Sequence, residues 1–124
     1  MVAEDNHVNQ MVVMNMFKRL NVVPDLATDG VQALEAFKAT TVPYDAVFMD
    51  CEMPVLDGYD AAQQIRLFEQ GGEHHTKIFA LSAHAMADNV KRSLAAGMDE
   101  HITKPVSLNA LKAALTELLK SSSD

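Results

Sequence analysis

The stretch DAVFMDCEMPVLDG, Asp45 to Gly58, runs from apolar residues into one carboxylate, Asp50, and then directly into turn formers. A run of this kind, bounded by Pro and Gly signals, predicts a buried strand with Asp50 at its carboxyl end. Open parallel sheets bind ligands at that edge. Other strand-like runs also end on reactive groups: Val2-Ala3 on Glu4-Asp5, Lys77 to Leu81 on Ser82, and His101 to Thr103 on Lys104. Alone, each reads as a helix cap or an ordinary ion pair. In a parallel sheet these ends share one edge, and the residues become one constellation.

Three carboxylates at Glu4, Asp5 and Asp50 repel one another when packed. At an effective dielectric near 20, two unit charges about 4 Å apart cost roughly 4 kcal/mol, so the cluster calls for a cation or for protons. Mg2+ suits it, because that ion binds through one or two carboxylates, keeps waters and completes its shell with phosphate oxygens. The ammonium of Lys104 and the hydroxyl of Ser82, facing a metal-bound carboxylate, suit the oxygens of a phosphoryl group. Asp50 is then the nucleophile and forms an acyl phosphate, with Mg2+ neutralising charge and aligning the donor.

The elements that must position these groups alternate along the chain. After the short Met1 to Ala3 strand, Asn6 caps a helix carrying Val8, Met11, Val12, Met16 and Leu20. Met11, Met14 and Phe17 give that helix more apolar surface than one buried stripe needs, through either core packing or docking of a phosphodonor. Asn21 to Leu26 reads as a strand interrupted by Pro24, which suits an outer position in the sheet. Asp29 and Gln32 are spaced like a capping box for a helix to Thr40, with Ala33, Leu34 and Phe37 on one side. Past Asp50, Gly58 to Gln70 places Ala61, Ile65 and Phe68 at helical spacing. Met86 to Ala96 follows Ser82 as a helix with Val90 and Leu94 inward and Gly97 as its stop. Ser107 caps a last helix with a Leu108, Leu111, Leu115 and Leu118 stripe. Strand and helix alternation of this kind predicts a parallel sheet covered on both faces. One domain over residues 1–120 is expected, with residues 121–124 a disordered polar tail.

In their order and approximate spacing, VAEDN, FMDCEMPVLDGY, ALSAHAM and GMDEHITKPV resemble the motifs of receiver domains of two-component response regulators, the chemotaxis-regulator-like fold. The likeness spans essentially the whole chain. It implies a flavodoxin-like (βα)5 sandwich with strand order 2-1-3-4-5, the first strand here truncated. Asp50 is then the phosphoacceptor, and Glu4, Asp5, Asp50 and the Glu52 main-chain carbonyl are the Mg2+ ligands. Ser82, Ala83 and Lys104 bind phosphate and switch. The resemblance also implies a cis peptide before Pro105. His101 stands where many members carry Tyr or Phe, so the imidazole either takes the switch role or is a surface group. Glu52 and His84 flank the mouth of the site, where they would tune the phosphoryl lifetime.

The wording of VAEDNHVNQ, MDCEMPVLDGY and ALSAHAM looks most like receivers attached to hybrid sensor kinases. That implies a sensor histidine kinase domain as phosphodonor and a His-containing phosphotransfer domain as acceptor. A homodimer formed on phosphorylation is a further partner to test. The switch would act through the helix Met86 to Ala96, the strand His101 to Thr103 and the helix Ser107 to Leu119. Two rivals use related chemistry or architecture: a phosphatase of the haloacid-dehalogenase type and an FMN-binding module. Glu4-Asp5-Asn6-His7 would repel the FMN phosphate.

Composition sets outer bounds. A net charge of -7 argues against direct nucleic-acid binding. The single Cys51 fits a reducing compartment. No apolar run approaches the roughly 18 residues of a membrane span, so a cytoplasmic domain without membrane insertion is expected.

Overall fold

The computed structural model describes residues 1–40, 44–51, 53, 56–70, 72, 75–82, 87–104 and 106–122, with side chains outside 87–89 and 119–122. Strands β1 (Val2–Ala3), β2 (Leu26–Ala27), β3 (Ala46–Asp50), β4 (Lys77–Ser82) and β5 (Glu100–Thr103) alternate with helices. The helices are α1 (His7–Arg19), α2 (Gly30–Ala39), α3 (Gly58–Glu69), α4 (Ala87–Ala95) and α5 (Leu108–Ser122). The strands form one parallel sheet in the order β2-β1-β3-β4-β5. This is the doubly wound order that the resemblance implied.

Strand residues point alternately to two apolar layers. Ala3, Ala27, Val47, Met49, Ile78 and Ala80 pack with residues of α2 and α3 and with Ala96 and Met98 after α4. Val2, Phe48, Phe79 and Leu81 pack with Val13 and Phe17 of α1 and Leu111 and Ala114 of α5. Phe48 stacks on Phe79 at 4.7 Å between centroids and meets Phe17 edge-on at 5.2 Å. Burying one such ring contributes about 1.5–3 kcal/mol.

Although β1 holds only two residues, both are fully buried and it pairs on both sides, Val2 opposite Leu26 and opposite Phe48. One residue later the Glu4 amide donates to the Ala27 carbonyl at 3.0 Å, which fixes Glu4 at the strand's end.

The helix starts follow their caps. Asn6, Asp29, Asp57 and Ser107 each accept a backbone amide three residues on, at 2.7 to 3.1 Å. The expected Asp29–Gln32 box closes one residue earlier than drawn, because Gln32 Oε1 accepts from the Thr28 amide and hydroxyl. Gly58 has no room for a side chain: a Cβ there would lie 2.2 Å from the Asp50 carbonyl oxygen, so α3 starts directly against the end of β3. Gly97 ends α4 at φ 93°, a left-handed conformation that favours glycine.

Several expected faces are corrected. Val8, Met11 and Val12 are exposed on α1, and Gln10, Val13 and Phe17 take the buried positions. Phe68 of α3 and Leu94 of α4 are exposed as well, whereas Ser93 and Ala96 are buried. β2 starts at Leu26, after a turn in which Asn21 adopts φ 62° and Pro24 offers no amide hydrogen. It is an edge strand, as Pro24 suggested. Helix α5 runs on to Ser122, into the segment expected to be a tail.

Candidate functional site

Four of the five strands, β1, β3, β4 and β5, deliver polar residues to the carboxyl edge. Asp50 ends β3, Ser82 ends β4, Glu4 and Asp5 follow β1, and Lys104 follows β5. Oxygens of Glu4, Asp5 and Asp50 lie within 4.8 Å of one another. Lys104 Nζ stands 3.1 Å from Asp50 Oδ2 and 3.3 Å from Glu4 Oε2. Four of the residues expected to meet therefore do so: Glu4, Asp5, Asp50 and Lys104. Ser82 is fully buried in the neighbouring strand, and its carbonyl accepts the Lys104 amide at 2.8 Å.

Glu4 and Asp50 are buried and Asp5 is exposed, so one side of the cluster opens to solvent. Burial works against the Lys104 ammonium, but its hydrogen bond to Asp50, the charge of Asp50 and then Glu4 outweigh it, and the pKa ends above the ordinary lysine value. The ammonium is thus held charged against the acids. Three carboxylates against it leave the cluster net negative. Its all-oxygen donor set fits a hard divalent cation such as Mg2+.

Two residues of α1 hold Glu4 and were not singled out from the sequence. Asn9 Nδ2 donates to Glu4 Oε1 at 3.0 Å, and the buried Gln10 Nε2 donates to the Glu4 carbonyl at 2.7 Å. Their only sequence signal is position, in the first turn of the helix that follows the acids.

His101 lies on β5 opposite Ala80, with Nδ1 3.4 Å from the Ser93 hydroxyl. Its Nε2 is buried with no hydrogen-bond partner among the described residues. The imidazole is turned toward Ser93 of α4, and the residue as a whole is half-buried. Glu52, Ala83, His84 and Pro105 lie outside the described residues, and with them the expected carbonyl ligand, the site-flanking pair and the cis peptide.

A five-stranded parallel sheet with a metal-compatible acid cluster and a lysine at one edge defines a phosphoacceptor-type α/β domain. The response regulator receiver domain family matches residues 1–116, and the chain belongs to it. Over 97% of this chain it is 34% identical to "Probable histidine kinase 2" of Oryza sativa subsp. indica, of whose length it spans 13%. It is similar to the receiver domain of the sensor histidine kinase PA1611 from Pseudomonas aeruginosa PAO1, whose crystal structure has a magnesium ion coordinated in the active site cleft. The TM-score there is 0.84 at 36% identity, covering 96% of this chain and 94% of that one. A further likeness is to the co-crystal of the Saccharomyces cerevisiae histidine phosphotransfer protein Ypd1 with the receiver domain of its downstream response regulator Ssk1. Here the TM-score is 0.83 at 32% identity, covering 94% and 85% of the two chains. These matches support neither the phosphatase nor the FMN reading.

Proposed function

We propose that Asp50 accepts a phosphoryl group from a kinase phosphohistidine and that the domain then switches conformation or passes the group to a His-containing phosphotransfer domain. The Asp50 carboxylate oxygen attacks phosphorus, the phosphorus–nitrogen bond breaks, and the imidazole leaves with its electron pair. Glu4, Asp5, Asp50 and the Glu52 main-chain carbonyl would hold Mg2+, which supplies charge neutralisation and alignment when bound. Lys104 receives one phosphoryl oxygen by turning from the Asp50 carboxylate it already contacts, and Ser82 and the Ala83 amide receive others. The chain thus assists its own phosphorylation without turning over a separate substrate.

The observation that carries this reading is the ammonium of Lys104 at 3.1 Å from Asp50 inside a cluster of three carboxylates. For the donor, Val8, Met11 and Val12 of α1 offer exposed apolar surface on the helix whose first turn holds Glu4. The yeast receiver likeness supports a phosphotransfer partner. The histidine kinase relative supports a place within a histidine kinase chain; we read that chain as a hybrid kinase with this domain on its cytoplasmic side. No described helix is long and apolar enough to cross a membrane.

Output would leave through α4, β5 and α5, with His101 as part of the switch. Glu52 and His84 would set the phosphoryl lifetime from the mouth of the site. Incubation with acetyl phosphate and Mg2+, followed by intact mass, tests the core of this reading. The parent chain should gain one phosphate and Asp50→Asn none; equal labelling of both would refute it. Sizing the labelled sample by sedimentation shows whether phosphorylation forms a homodimer.

A further inference from the structure

We propose that Arg92 is a latch that holds α4 to the start of α3 in the unmodified domain and so sets how readily phosphorylation of Asp50 displaces the output helix. The proposal rests on the reading of Asp50 as the phosphoacceptor and of α4 as part of the output face.

α4 is held differently from the other helices. α1 buries Phe17, α2 Phe37, α3 Ile65 and α5 Leu111. Among the described side chains of α4, residues 90–95, Ser93 alone is buried; Val90 is half-buried and Leu94 is 58% exposed. One small polar group supplies little apolar burial, so these turns lack the contribution that fixes the neighbouring helices. The turn that follows is firmer. Ala96 and Met98 are buried there, and the Gly97 carbonyl accepts Arg66 Nε at 2.8 Å.

Arg92 supplies a tie of another kind. Its guanidinium lies over the Tyr59 ring of α3 at 4.0 Å and reaches Asp57 Oδ2 at 3.6 Å. Both partners are themselves fixed: Tyr59 is buried, and Asp57 Oδ1 caps α3 by accepting the Asp60 amide at 2.9 Å. Gly58 between them donates its amide to the Cys51 carbonyl at 3.1 Å and packs directly against the Asp50 carbonyl, where a Cβ would not fit. The anchor of the latch is therefore one residue from backbone that touches the phosphoacceptor.

α4 thus answers to two elements. Its start follows Ser82 of β4 along the chain, whereas Arg92 grips the start of α3. A shift of Ser82 toward a phosphoryl group acts on the first connection, and the second stays with α3. Displacing α4 relative to α3 separates the guanidinium from the ring and the carboxylate, and contacts made in one state only bias the equilibrium toward that state. The Arg92 side chain is 60% exposed, so the cation–ring contact and the ion pair together amount to about 3- to 10-fold in that equilibrium.

The test compares the full chain with Arg92→Gln and Arg92→Lys, titrating BeF3− in saturating Mg2+ and following the amide signals of α4 and β5. Arg92→Gln should bind BeF3− about 3- to 10-fold more tightly than the parent. Its unliganded α4 amides should lie part-way along the line from the free to the BeF3−-bound parent. Arg92→Lys keeps the charge and part of both contacts, so it should fall between the two. Loss of a cation would by itself weaken the binding of an anion, so tighter binding is a readout that only release of the latch produces. Unchanged or weaker binding by Arg92→Gln, or shifts confined to the neighbours of position 92, overturns the latch. A parent that ignores Mg2+ and BeF3− overturns the phosphoacceptor reading and the latch with it; a parent that responds while both variants match it overturns the latch alone. The replaced side chain is exposed, so both variants keep the core intact.

Discussion

Lys104 Nζ lies 3.1 Å from Asp50 Oδ2, and the same ammonium reaches Glu4 Oε2 at 3.3 Å. It therefore sits on two of the oxygens that a divalent cation would claim, and the two cations compete for the carboxylates.

Lys104→Met should consequently have opposite effects on stability and on metal affinity. Without metal, the variant should be less stable by about 1–3 kcal/mol, since buried carboxylates lose their charged donor. With Mg2+ the deficit should shrink, and the variant should bind Mg2+ more tightly than the parent. Urea unfolding at several Mg2+ concentrations measures both; a variant with weaker Mg2+ binding would contradict the competition.

Asn9→Ala removes the donor at 3.0 Å that orients Glu4 without touching the carboxylates themselves. Outer partners of metal ligands typically matter by tenfold or more, so the Mg2+ dissociation constant should rise about 10-fold. Titration by intrinsic tyrosine fluorescence or calorimetry reads this directly. Unchanged affinity would mean that Glu4 is held by its backbone alone.

Arg66 ties the amino-terminal edge together far from the acids. Its guanidinium donates to Glu69 at 2.6 Å, Asp99 at 2.7 Å, and the Thr76 and Gly97 carbonyls at 2.8 Å. Glu69 and Asp99 in turn accept the Thr76 and Ile78 amides at 2.8 Å. Because these groups are partly exposed, Arg66→Met should cost about 2–3 kcal/mol, somewhat below a fully buried pair. The urea midpoint should fall while acetyl phosphate still labels Asp50.

Alkaline pH should expose the state of both tyrosines. Burial first, and then the Asp25 and Cys51 contacts respectively, raise Tyr44 and Tyr59 to about 12. For a group whose folded pKa is raised, its share of stability is complete below the unfolded value and lost as pH climbs to the folded one. Stability should therefore fall between about pH 10 and 12, and the raised Lys104 pKa works in the same direction. Ultraviolet titration should place phenolate formation near 12 in the folded chain and near 10 in urea. A folded chain titrating near 10 would contradict the buried contacts.

Where the pattern was local, the sequence was legible. β3 is buried on both faces and ends on Asp50, so its apolar run carried the whole signal. The caps at Asn6, Asp29 and Ser107 and the stop at Gly97 involve groups only a few residues apart. Helix faces were less legible. α1 has apolar residues on more than one side, and contact with the sheet selects Gln10, Val13 and Phe17, leaving Met11 outside. On α4 the inward place goes to Ser93 rather than Leu94, since the facing groups on α3 and β5 are the hydroxyl of Tyr59 and the ring of His101. Apolar periodicity is blind to polar contacts of this kind.

By itself the sequence determined the alternation of strands and helices, hence a parallel sheet, and which charged or hydroxyl group each strand carries to its end. Only the tertiary structure decided which of these groups touch. Lys104 and Glu4 are separated by 100 residues along the chain and by 3.3 Å in space. Coulomb and hydrogen-bond energies depend on that second separation, which the parallel registers of β1, β3, β4 and β5 set and no local run of residues encodes.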